Sequence, residues 1–142
     1  MKKYLLLSIL VILLLDCVGI VFLAADPPEK AAQQAAELWM PLMDSGKYAE
    51  SWDKLAEKTK AQLDRKTWEN YLTAVRKPLG EVKSRDLKEA KFIKSLTGIP
   101  DQSGALLQYE SSYNNRESVI ETFGMILEKD GTWRVANYIP KE

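Results

Sequence analysis

The sequence predicts an α+β domain behind an amino-terminal apolar segment, with about three helices packed on a curved four-stranded antiparallel sheet. Three observations predict it. Residues 4–25 are almost wholly apolar behind Lys2 and Lys3. Apolar residues then recur at helical spacing as far as Gly80, and beyond Gly80 the period shortens to two. The chain divides accordingly into a leader, residues 1–25, and one domain, residues 26–142.

The leader has a basic start, Lys2-Lys3, and an apolar run over residues 4–15 broken only by Ser8. This is the order of an export signal. Leu23-Ala24-Ala25 ahead of Asp26 supplies small residues for cleavage. Residues 4–25 are also about as long as the ~20 residues that span a bilayer, so an uncleaved anchor is a second reading. Asp16 weighs against it, since a carboxylate near the bilayer centre costs about 2.5–3.5 kcal/mol. Lipoprotein processing at Cys17 is a third reading, opposed by the charge of Asp16 just before it and the apolar tail after it. In each case Lys2 and Lys3 stay inside and the domain is expected outside the cytoplasm, periplasmic after cleavage or anchored to the inner membrane.

Asp26-Pro27-Pro28-Glu29 reads as an N-cap, prolines in the first turn and a capping-box Glu. The helix that follows carries Ala32, Ala35, Ala36, Trp39, Leu42 and Met43 on one stripe and ends at Ser45-Gly46, with Pro41 expected to kink its last turn. A second helix is expected over residues 47–62, with Tyr48, Trp52, Leu55, Ala56 and Thr59 on one face. Asp64 caps a third, whose stripe is Trp68, Tyr71, Leu72 and Val75 and whose end is Pro78 and Gly80.

Residues 82–96 read as a long interrupted strand and residues 98–104 as a loop. Leu107, Tyr109, Ser111 and Tyr113 then alternate with polar residues as in a half-buried strand. Residues 118–128 and 132–139 form a hairpin around Lys129-Asp130-Gly131. A two-residue turn would set Trp133 opposite Glu128 and mix the faces. A three-residue turn with Gly131 in the left-handed region pairs Leu127 with Trp133 and Met125 with Val135, and is preferred. It places Phe123, Met125, Leu127, Trp133 and Val135 on one face and Thr122, Gly124, Arg134 and Tyr138 on the other.

Composition narrows the function classes. The chain has 142 residues, 46% hydrophobic and 28% charged, as ordinary globular proteins have. Lys plus Arg and Asp plus Glu number 20 each, so the excess of positive charge that holds nucleic acid is absent. There is no histidine, which removes the commonest general base and metal ligand. Cys17 is the sole cysteine, so no internal disulfide forms. No P-loop, nucleophile elbow, metal motif or calcium loop is present, and no cofactor is expected.

Helices followed by strands in meander order resemble the cystatin-like or nuclear-transport-factor-2-like superfold. A more specific likeness lies in an ordered set of short pieces. These are Trp39, Asp44-Ser45-Gly46-Lys47-Tyr48, Ser51-Trp52, Trp68, Arg76 with Pro78-Leu79-Gly80, Arg85, residues 96–101, Tyr109, and Asp130-Gly131-Thr132-Trp133-Arg134-Val135-Ala136. Together they resemble the bacterial domain of unknown function 4019, over nearly all of residues 35–139. The chain departs from that pattern at Pro41, at Thr97 where a proline is usual, and at Asn137 where a glycine is usual. The resemblance implies export and an uncharacterised role, and brings no catalytic residues with it.

Each residue with chemistry has a plainer reading beside it. The four tryptophans, Trp39, Trp52, Trp68 and Trp133, read as core, and Trp133→Ala would then cost about 3–5 kcal/mol. Tyr109, Tyr113 and Tyr138 would orient an apolar ligand if they line a cavity. Arg76 would clamp an anion, or serve only the end of its helix. Asp101 and Asp130 are explained by turns. The leading expectation is a cell-envelope binding or assembly module without catalysis, its partner an envelope protein or a small apolar ligand, with membrane contact through residues 1–25 if they are retained. The alternative is an enzyme in which Glu110 or Glu121, with the tyrosines, moves a proton on a small apolar substrate.

Overall fold

The computed structural model describes residues 24–99 and 101–142. Residues 1–23, and with them nearly all of the expected leader, lie outside the described residues. Among the described residues no helix is long and apolar enough to cross a membrane.

Helix α1 spans Pro28–Asp44. Asp26 was expected to cap it, but Pro27 takes the N-cap position and its carbonyl accepts from Lys30 and Ala31 at 2.9 and 3.1 Å. One residue too far upstream, Asp26 instead pairs with the Lys30 ammonium at 3.1 Å. At the other end Gly46, at φ 75°, donates to Met43 and Lys47 to Leu42, the paired bonds of a left-handed helix stop. Pro41 is accommodated within the helix, which continues through it to Asp44.

The single helix expected over residues 47–62 is two, α2 (Tyr48–Asp53) and α3 (Glu57–Gln62). The break has an energetic cause. Leu55 and Ala56 are fully buried, and the Ala56 amide donates to the Val135 carbonyl at 2.8 Å instead of continuing a helical ladder. Helix α4 (Arg65–Arg76) begins as expected, with the Asp64 carboxylate accepting from the Thr67 amide at 2.9 Å and its hydroxyl at 2.7 Å.

Four antiparallel strands follow in meander order, β1 (Val82–Ile93), β2 (Gly104–Tyr113), β3 (Arg116–Leu127) and β4 (Trp133–Lys141). The three-residue turn holds: Leu127 faces Trp133, Met125 faces Val135, and Gly131 sits at φ 81°. One face assignment does not. Val135 pairs with Met125 but Asn137 pairs with Gly124, so Ala136 is an extra residue on β4. The parity flips beyond it, and Tyr138 faces Phe123 inside the core instead of lying on the outer face. Asn137 closes over the bulge, its Oδ1 accepting from the Gly124 amide at 2.8 Å.

The core lies between α1 and one face of the sheet. Trp39 and Trp68 are buried there with ring centroids 6.2 Å apart, and both indole N–H groups donate to Ser51. Trp52 and Trp133 are only half-buried, against expectation. Trp52 sends its N–H to the Leu63 carbonyl at 2.8 Å, and Trp133 stands edge-on to Phe92 at the sheet's end. The two sheet edges differ. On β4 the carbonyls of Val135, Ala136 and Tyr138 accept from Ala56, Thr59 and Tyr71 at 2.7–2.8 Å. Edge strand β1 carries six charged side chains in twelve residues and two register shifts, both of which discourage pairing with another strand.

Candidate functional site

Two features stand out: an ionic cluster at the end of α1 and an apolar groove on its flank. The cluster forms because the fold brings five other elements around Glu121. Asp44 ends α1, Arg76 ends α4, Arg85 lies on β1, Ser111 and Tyr113 on β2, Glu121 on β3 and Tyr138 on β4. The Glu121 side chain is fully buried. Its Oε1 accepts from the Tyr138 hydroxyl at 2.7 Å, from Arg85 Nη2 at 3.2 Å, from Arg76 Nη1 at 3.3 Å and from the Tyr113 hydroxyl. Its Oε2 accepts from Arg85 Nε at 2.6 Å and from the Ser111 hydroxyl. Asp44 joins the two cations from the outer side, receiving Arg76 Nη2 at 2.7 Å and Arg85 Nη1 at 2.9 Å.

Two carboxylates thus balance two guanidiniums, as burial demands. Burial alone would raise the Glu121 pKa, but hydrogen bonding and charge from Arg85, with the Ser111 and Tyr113 hydroxyls, hold it below the usual carboxylate range. Burial and the neighbouring Glu121 charge push the Tyr113 phenol up to about 12, and the Tyr138 phenol is raised for the same reasons. Asp44 at a helix C-terminus meets the negative end of the dipole, and the two guanidiniums offset that.

Of the residues singled out from the sequence, Arg76, Tyr113 and Tyr138 meet at Glu121, with Arg76 also stacked over the Tyr113 ring at 4.8 Å. Tyr109 does not join them. It packs edge-on against Phe123, with its hydroxyl 3.4 Å from Glu37. Glu110 lies on the opposite face of the sheet, exposed and paired with Lys88 at 3.0 Å. Asp44, Arg85 and Ser111 were not identified as a site. A signal for the first existed: an acid in a helix's last turn needs a cation. Among the described residues no group of three or more potential metal ligands comes together.

The groove runs between the flank of α1, with Ala35, Leu38, Trp39 and Leu42, and the start of β4, with Trp133 and Val135. Lys54 and Arg134 also line it. Leu38 is 82% exposed. It falls outside the helix's buried stripe, and an off-stripe leucine was the one trace of this groove in the sequence.

The sequence model of the family described as "Protein of unknown function (DUF4019)" matches residues 35–138, which take in both the cluster and the groove. No curated protein matches the chain.

Proposed function

We propose that this chain, which belongs to the DUF4019 family, is an exported binding or assembly module of the cell envelope that holds an apolar group in the groove between α1 and β4 and catalyses no reaction. The observation that carries the reading is Leu38, which lies at the lip of an apolar groove and is 82% exposed, more than Ile139 and Ile120, the other exposed large apolar side chains among the described residues. Glu121 supports the other half of it. A general base needs a free lone pair and a pKa near working pH, whereas both oxygens of Glu121 are occupied and its pKa is lowered.

The test is native mass spectrometry of the full chain released with its surrounding lipids, wild type beside Leu38→Glu. The expected result is a bound ligand or partner that the variant loses at an unchanged unfolding midpoint. The reading is overturned by a chain that carries nothing in either form, or by a turnover that Glu121→Gln abolishes without loss of stability.

A further inference from the structure

Edge strand β1 is not held evenly along its length. None of its side chains is buried, whereas the β2 residues opposite it include the buried Tyr109, Ser111 and Tyr113. Both ends are anchored by apolar contact. Val82 packs with Leu79, Tyr113 and Val119, and at the far end Ala90 lies against the main core and Phe92 stands edge-on to Trp133. Between these ends, register shifts at Val82/Ser84 and Leu87/Glu89 bracket a short stretch, Ser84–Leu87, paired with Tyr109–Ser112. Each shift interrupts the ladder, so the stretch can part from β2 without unzipping its neighbours. Ser84 and Asp86 are exposed, and the half-buried Leu87 sits at the stretch's end. What holds its middle is Arg85. The Arg85 Nη2 donates to Asp44 Oδ1 at 3.0 Å and to the Tyr113 hydroxyl at 3.2 Å, besides the guanidinium's bonds to both Glu121 oxygens and to Asp44 Oδ2.

We propose that Ser84–Leu87 is a strap buckled by Arg85: it swings off β2 as a unit while the rest of the domain stays folded, and so opens the buried Glu121 to solvent. The two interrupted points of the ladder are its hinges. Segments with few buried apolar contacts open at less cost than the whole domain, and here that cost is concentrated in one guanidinium. Releasing it does not leave Glu121 an orphaned charge, because Arg76, Ser111, Tyr113 and Tyr138 remain bonded to it. Asp44 is the outer half of the buckle. Its carboxylate is 22% exposed and can be altered without touching Glu121.

The experiment is hydrogen exchange of the full chain, resolved residue by residue and repeated at urea concentrations below the unfolding transition. Ladder amides joining Ser84–Leu87 to Tyr109–Ser112 should exchange at least about tenfold faster than those joining β2 to β3, and with little dependence on urea, as an opening that exposes little surface does. Asp44→Asn should speed the strap amides a further tenfold or so, the scale of a lost charge-assisted hydrogen bond, because opening already breaks that bond. Arg85→Lys, which keeps the charge but loses the planar fork, should act in the same direction. Thr59→Ala is the control. It removes a bond to the opposite sheet edge that the open strap leaves intact, so it should speed the β2–β3 amides and not the strap's. Equal rates and equal urea dependence across both ladders would overturn the strap. Strap amides unmoved by Asp44→Asn and Arg85→Lys would overturn Arg85 as its buckle.

Discussion

Helix α1 borders two regions of opposite character. At its C-terminal end Asp44 enters a cluster in which both buried Glu121 oxygens are hydrogen-bonded and the charges balance. On its flank Leu38 faces solvent beside an apolar groove that no described residue fills. The difference teaches how to divide the molecule. Groups whose bonding capacity is filled internally hold the fold together, and groups left wanting are available to something outside it.

Removing one member from the filled region should have the largest effect. Glu121→Ala leaves two buried guanidiniums facing each other and should destabilise the domain by about 3–5 kcal/mol in urea unfolding. A loss under about 1 kcal/mol would mean the cluster is not what ties the strands to the helices. Protonation probes the same region more gently. Because the folded-state pKa of Glu121 is depressed below its ordinary 4.5, its contribution is fully present above that value and is lost as pH falls through the lower folded value. Stability followed from pH 6 to pH 2 should decline from about pH 4.5 downward, and Glu121→Gln should flatten that slope.

The groove side should respond less. Trp133→Ala removes a half-buried ring and should cost about 1–2 kcal/mol, well below the 3–5 expected of a core tryptophan such as Trp39. Equal losses at the two positions would erase the distinction between core and groove. Smallest of all, Leu38→Ser should change stability by less than about 0.5 kcal/mol while exposing the groove's function to test. A larger change would show Leu38 to be a folding residue.

Much of the fold was legible because local chemistry and tertiary structure agree. Asp64 caps α4, Gly46 stops α1 and Gly131 sets the hairpin turn, each by a rule that acts within a few residues. The misreadings arose where a distant partner prevailed. Ala56 leaves the helical path to bond β4, and the extra residue Ala136 turns Tyr138 inward; neither event has a signal within its own window of sequence. The site divided in the same way. Arg76, Tyr113 and Tyr138 were named individually, but their convergence on Glu121 depends on strand register and on Arg85 and Asp44 arriving from elsewhere.

The sealed edge of β4 bears on how the cell tells a folded domain from an incomplete one. Chain growth delivers this strand after the other three, and until it arrives the Ala56 amide and the Thr59 and Tyr71 hydroxyls lack their acceptors on it, while β3 presents an open edge with Phe123 and Met125 uncovered. Truncated chains should therefore be sticky and readily cut by proteases. Docking of the nine residues of β4 closes that edge and, among the described residues, leaves the charged, twice-interrupted β1 as the sheet's outer edge, so β4 serves as the seal of this domain.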